Sequence, residues 1–207
     1  MTAGIRGFRI LAVEGIDGSG KTTLLRRVAE AMGSAAHMER LSPHMGAVFR
    51  ELVDSPADSS VRYQDVIPGS LRRFAYVADA ISQFHYLDSA YSSHDWVLFD
   101  RWLPTYDVYC EGESAHDEWC RELAGLLPVP DLLIRLRTSP KVAAGRVRSR
   151  GDWTADHWSP QRLLEDLTRL DLGYDRALAE TPHVVVDGDR GADAVYEEVL
   201  GLVRAVG

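Results

Sequence analysis

Lysine is almost missing from this 207-residue chain: of 23 basic residues, only Lys21 and Lys141 are lysine. Positive charge is in deficit as well, with a formal net charge of -8. Such a balance argues against a surface that coats a nucleic acid polymer, though not against a local basic pocket. Cysteine is scarce. Cys110 and Cys120 do not make a secreted disulfide scaffold, and two free thiols in a reducing compartment are expected. No apolar run reaches membrane-spanning length, so no membrane is expected. The first residues lack the apolar segment of a signal peptide, which makes the cytoplasm the expected location. The seven histidines are scattered without metal-ligand spacing. Repeats, low-complexity tracts and linkers are absent, so one domain is expected over 1–207.

What is present is an alternation of apolar strand runs with amphipathic helices, the pattern of an α/β fold around a mostly parallel sheet. Strands are expected at Phe8–Val13, His37–Leu41, Trp96–Asp100, Asp131–Leu136 and His183–Val186. Helices are expected at Lys21–Met32, Leu71–Tyr91, after Pro104, at Pro140–Arg148, Gln161–Leu178 and Ala192–Ala205. On the first helix Leu24, Leu25, Val28, Ala31 and Met32 form the apolar face. On the long one Phe74, Val77, Ala78, Ile81, Phe84 and Leu87 do so. Residues 54–69, polar and containing Pro56, Pro68 and Gly69, read as a loop.

The segment Gly15-Ile16-Asp17-Gly18-Ser19-Gly20-Lys21-Thr22 carries the spacing G-x-x-x-x-G-K-[ST]. Glycines let the backbone close around phosphates, and inward N–H groups with the positive end of the next helix attract the anion. Lys21 supplies a point charge for the β- and γ-phosphates, and the Thr22 hydroxyl is a ligand for Mg²⁺. Gly15, Gly18, Ser19, Gly20, Lys21, Thr22 and Thr23 are therefore the candidate ATP-binding residues. The segment follows an apolar strand and opens an amphipathic helix, the context such a cradle needs. Trp96-Val97-Leu98-Phe99-Asp100 is a second apolar strand, ending in a carboxylate suited to the magnesium region, and Arg101 follows it. A nucleotide switch would carry an N/T-K-x-D guanine motif, but Lys141 is flanked by Pro140, Val142 and Ala143. A small-molecule kinase fits better than a switch.

Glu14-Gly15-Ile16-Asp17-Gly18-Ser19-Gly20-Lys21-Thr22-Thr23 resembles the phosphate loop of the thymidylate kinase family. Asp100-Arg101-Trp102 is similar to that family's D-R-[YHF], and Tyr109 and Tyr174 stand where it has tyrosines. Pro130-Asp131-Leu132 resembles the start of its P-D-L strand, and Gly145–Gly151 its R-x-R-x-R-G lid. The resemblance implies a P-loop kinase fold with an arginine-rich lid over about 146–160. It implies ATP with Mg²⁺ held by Thr22 and Asp100, a small-molecule phosphate acceptor, and a possible homodimer. It implies that Asp17 accepts from the acceptor's 3′-hydroxyl and that Arg101 holds the acceptor phosphate. Lys21, Asp17, Arg101, Arg146, Arg148 and Arg150 are the implied catalytic set; Asp17, Arg40, Tyr76, Arg101 and Tyr109 are the implied acceptor set. At helical spacing, Arg146 and Arg150 share a face and Arg148 does not, so two of the three lid arginines are expected toward the site.

Two departures fall on the acceptor side. In place of the family's R-E-P-G-G-T stands Arg40-Leu41-Ser42-Pro43-His44-Met45. In place of F-A-x-D-R stands Tyr76-Val77-Ala78-Asp79-Ala80, with alanine where the family's arginine reads the base. Ala80 is expected to leave space beside a ring stacked on Tyr76; the alternative is that Gln83 or Arg73 on the same helix supplies the lost hydrogen bond. Past Gly151 the lid reads Asp152-Trp153-Thr154-Ala155-Asp156-His157-Trp158, and its tryptophans are expected to pack, the alternative being contact with a nonstandard acceptor. The acceptor is expected to be a nucleoside monophosphate of the thymidylate type. The alternative is a nonstandard nucleotide, nucleoside or other small hydroxyl compound.

Overall fold

The computed structural model of the protein describes residues 7–53, 61–110 and 117–206. Five strands run β1 Arg9–Glu14, β2 Ala36–Arg40, β3 Trp96–Asp100, β4 Leu132–Arg137 and β5 Val184–Asp187. They form one sheet in the order β2-β3-β1-β4-β5, and every pairing is parallel. A parallel strand is covered on both faces and so reads as a continuous apolar run. In β1, Ile10 to Val13 are all fully buried and point alternately to opposite faces.

Ten helices belong to the described residues: α1 Lys21–Met32, α2 Met45–Val53, α3 Tyr63–Val66, α4 Gly69–Tyr91, α5 Leu103–Tyr109, α6 Asp117–Ala124, α7 Pro140–Arg150, α8 Trp153–His157, α9 Pro160–Ala177 and α10 Ala192–Val206. On one sheet face Ile10, Ala12, Phe99 and Leu133 pack against α4, α5, α7 and α9. On the other Leu11, Val13, Leu98 and Ile134 meet Leu24, Leu25 and Val28 of α1 and Val195, Val199 and Val203 of α10. Each fully buried aliphatic side chain contributes about 1.5–3 kcal/mol. Pro140 opens α7 and Gly151 ends it in the left-handed conformation; Pro160 opens α9, where Ser159 accepts from Arg162 N–H. Arg135, buried at the carboxyl end of β4, pairs with Asp171 and Asp175 and so ties α9 to the sheet.

The structure corrects several local expectations. Within the expected loop 54–69, residues 63–66 are helical and α4 begins at Gly69; residues 54–60 lie outside the description. The helices α2 and α6, and α8 inside the lid, were not expected. Ala31 is exposed on α1. Phe74 is exposed on α4, and the side chain of Leu87 lies outside the description. The buried face of α4 instead includes Arg72, Asp79 and Gln83, because that face builds a polar wall rather than plain core.

Candidate active site

At the carboxyl ends of β1 and β3 the chain opens a cleft of about 740 Å³, the place where parallel α/β sheets bind ligands. The loop after β1 wraps its floor. Gly15 has φ 149°, and a Cβ there would come within 2.6 Å of the Leu136 carbonyl oxygen. Gly18 has φ 79°, and a Cβ would collide with the Ala143 carbonyl of α7. Only glycine fits either position, and the loop seats directly on the base of the lid. Helix α1 starts at Lys21 without a side-chain cap, so its first N–H groups are available to an anion.

Lys21 is buried. Its Nζ donates to the carbonyls of Gly15 at 2.8 Å and Ile16 at 2.9 Å, and to Ser19 Oγ at 3.2 Å. Burial, then repulsion from Arg101, pushes its pKa down to about 7. The Thr22 hydroxyl donates to the carboxylate of Asp100. This pair at the foot of the phosphate loop is the hard-oxygen donor set that Mg²⁺ takes. Thr23 also lines the cleft. The chain's own residues thus fit ATP and Mg²⁺.

Arg101 adopts φ 81°, a conformation unusual outside glycine. Its N–H donates to Val13 O at 3.1 Å, and its guanidinium pairs with Asp17. Nη1 donates to the Tyr174 hydroxyl at 3.0 Å, and the group lies 4.7 Å over the Tyr109 ring. Burial raises the Asp17 pKa, but Arg101 and then Lys21 outweigh it and hold the carboxyl below its usual range. Behind them Glu14 accepts from Trp102 N–H at 2.8 Å, Thr105 N–H at 3.1 Å and Thr105 Oγ1 at 2.6 Å. Burial raises its pKa, opposed by the Thr105 hydrogen bond and the charge of Arg101. Thr105 and Tyr174 are 2.8 Å apart, closing a buried chain that fixes the strained Arg101.

The opposite wall comes from α4 and the segment before α2. Tyr76 stacks on Tyr106 with ring centroids 5.1 Å apart and meets the Tyr63 hydroxyl at 3.0 Å. Ser42, at φ 52°, donates to the Tyr76 carbonyl and accepts from the Tyr106 hydroxyl at 2.6 Å. Asp79 accepts from His44 N–H and Met45 N–H, both at 2.9 Å. These bonds hold the segment that replaces the family's glycine turn. Gln83 is consumed by Ser42 N–H, Arg40 O and the Tyr91 hydroxyl. Arg73 pairs with Asp107. Neither Gln83 nor Arg73 lines the cleft, so the structure overturns them as replacement donors. Ala80 is fully buried in the core and opens no space beside Tyr76, contrary to expectation. Arg40 reaches the cleft as expected, joined by Arg50 and Arg72.

In the lid the three arginines separate. Arg150 lines the cleft and pairs with Asp152, its Nε donating at 2.8 Å. Arg146 donates to Ser19 O at 3.1 Å, Gly18 O at 3.4 Å and Gly188 O at 3.2 Å, strapping the phosphate loop to the loop after β5. Arg148 is exposed and does not line the cleft. Arg62, just before α3, lies 4.5 Å over Trp153 and 4.9 Å over Trp158, while Arg162 lies 4.4 Å over Trp158. The lid tryptophans thus pack against Arg62 from the acceptor side and Arg162 of α9, and Trp158 also lines the cleft.

Sequence reasoning passed over Thr105, Tyr106, Ser42, Tyr63 and Arg72, all of which line the cleft. One signal was available: Arg72, Tyr76, Asp79 and Gln83 recur at helical spacing, a polar stripe on an otherwise apolar helix.

A glycine cradle at a helix start, a lysine aimed into it, a Thr–Asp pair and a half-buried arginine facing the same cleft define a P-loop nucleotide kinase. The family model for thymidylate kinase matches residues 13–199. The thymidylate kinase of Xanthomonas oryzae pv. oryzae is 30% identical, over 96% of this chain and 84% of its own length. That of Xanthomonas euvesicatoria pv. vesicatoria is 29% identical with the same coverage. The probable thymidylate kinase 1 of Saccharolobus solfataricus is 22% identical over 95% of this chain and 97% of its own. The chain belongs to the thymidylate kinase family. Among the described residues no helix is long and apolar enough to cross a membrane.

Proposed function

We propose that this protein transfers the γ-phosphoryl group of ATP to the phosphate of a nucleoside monophosphate of the thymidylate type. The observation that carries this reading is Arg101, half-buried and held by Asp17, Tyr109 and Tyr174 in the same cleft as Lys21. A guanidinium held this way offers a fork to one phosphate while the cradle holds another. An oxygen of the acceptor phosphate forms a bond to the γ-phosphorus, the bond to the β–γ bridging oxygen breaks, and ADP leaves. Lys21 leaves the Gly15 and Ile16 carbonyls to neutralise the β- and γ-phosphates. Thr22 and Asp100 would hold Mg²⁺, which would supply positive charge to offset that of the phosphates. Asp17 orients the sugar through its 3′-hydroxyl, and Arg150 faces the transferring group when the lid closes. Catalysis is then positioning and charge neutralisation in a site shielded from water.

A second reading, a nonstandard nucleotide as acceptor, is favoured by one observation: Ala80 is sealed in the core and Tyr106 lies across Tyr76. Steady-state ADP release with a panel of monophosphates and nucleosides separates the two. A kcat/KM for dTMP of roughly 10⁴ M⁻¹s⁻¹ or more supports the first. A far lower value, with another acceptor above it, supports the second. No turnover with any monophosphate would defeat the first.

A further inference from the structure

Resting on the kinase reading above, we infer that Arg72 is the residue that reads the acceptor's base, through an oxygen on the ring edge. The family's base-reading arginine position is Ala80, one turn beyond Tyr76; Arg72 is one turn before it. Positions 72, 76 and 80 share one face of α4. The side chain of Ala80 is sealed in the core, but Arg72 lines the cleft together with Tyr76 and Tyr106. The reader has thus moved by two turns along the same helix.

The state of Arg72 argues for a ligand. The residue is only 8% exposed. Among the described residues, the donation of its Nε to Ile67 O at 3.1 Å is the one side-chain hydrogen bond it makes, and no carboxylate pairs with it. A buried guanidinium with two NH₂ groups unspent is unfavourable until an oxygen acceptor arrives. The surroundings match. Described residues lining the cleft present nine cationic side chains against four carboxylates, in a chain of formal net charge -8. The shared ligand chemistry is an oxygen on the ring edge, supplied by a neutral ring carbonyl or by a ring carboxylate. Bases whose edge carries only amino groups and ring nitrogens leave Arg72 unpaired, and a site built around a hydrogen bond rejects such analogues strongly.

The test uses the full chain with Arg72→Met and Arg72→Lys. Acceptor binding is measured by titration with a non-hydrolysable ATP analogue present, and kcat/KM by ADP release. The probes are dTMP, dUMP, 5-carboxy-dUMP and dAMP. Arg72→Met is expected to weaken the three oxo-pyrimidines about ten- to a hundredfold more than dAMP, the scale of one bidentate contact to a base edge. Arg72→Lys, which keeps the charge and loses the fork, is expected to recover only part and carries the comparison if the Met variant fails to fold. With wild-type protein, 5-carboxy-dUMP binding above dUMP assigns the oxygen to a carboxylate; the reverse assigns it to a ring carbonyl. Equal losses for all four probes, or none, would overturn the inference and leave Arg72 as a brace for Ile67. Absence of turnover with every monophosphate would instead defeat the kinase reading, while the binding titrations would still decide the role of Arg72.

Discussion

Lys21 Nζ lies 2.8 Å from the carbonyl oxygen of Gly15, so the cation that the phosphates need is held by the loop that cradles them. Burial makes this position costly for a charge and lowers the lysine pKa to about 7. Phosphate oxygens favour the charged form and raise it again on binding. As pH rises past 7 the free protein therefore holds a falling fraction of charged Lys21, and ATP binding takes up a fraction of a proton that grows with pH. Affinity for ATP is expected to fall by up to about one log unit per pH unit between pH 7.5 and 9. Calorimetry in buffers of different ionisation enthalpy measures the uptake directly. A proton count of zero at pH 8.5 would count against the low pKa.

Replacing Lys21 with Ala removes the charge opposite the β- and γ-phosphates. Turnover is expected to drop by about a hundredfold or more, the scale of one strong transition-state contact. The fold is expected to persist, because the removed ammonium was itself costly to bury. Kinetics paired with thermal unfolding check this; a folded variant with near-normal turnover would rule out the phosphate-cradle role.

The lid arginines are expected to act unequally. Arg150→Ala should lower kcat by about ten- to a hundredfold with little change in ATP binding, as for an interaction made mainly in the transition state. Arg148→Ala, on an exposed face, should change both by less than about twofold, as most surface substitutions do. Arg146→Ala should weaken ATP binding by loosening Gly18, Ser19 and Gly188. Steady-state kinetics with nucleotide titration separate the three. Identical behaviour of Arg148 and Arg150 would overturn this division.

Ala80→Arg, which writes the family's residue back into the sequence, is expected to fail. It forces a large cation into a sealed part of the core, with a cost of about 3–5 kcal/mol for the uncompensated charge. For a chain of this size, that lowers the unfolding midpoint by roughly 10 °C. No gain in dTMP turnover is expected. A variant as stable as the parent and faster on dTMP would show that the pocket extends to residue 80.

The phosphate-binding half of the protein was legible in the order of its residues. Gly15 to Thr22 carry their chemistry at fixed spacing on one turn, so local geometry suffices, and Asp100 and Arg101 follow an apolar run that can only be a buried strand. The sheet was legible for the same reason: a strand covered on both faces has to be apolar throughout, as Ile10–Val13 and Trp96–Phe99 are. The acceptor half was not legible, because its walls join segments far apart in the chain. Ser42 meets Gln83, Tyr76 and Tyr106; Asp79 meets His44 and Met45; Arg62 meets Trp153 and Trp158. No local pattern encodes such pairings, and at single positions they mislead. Ala80 reads as a vacancy and is core; Phe74 reads as core and is exposed. The sequence by itself determined the reaction class, since phosphate recognition needs only one loop, one helix start and two strand ends. Only the tertiary structure decided what faces the acceptor. The rotation of α4 on the sheet sets which of its polar residues enter the cleft, and packing against α2, α5 and the sheet fixes that rotation.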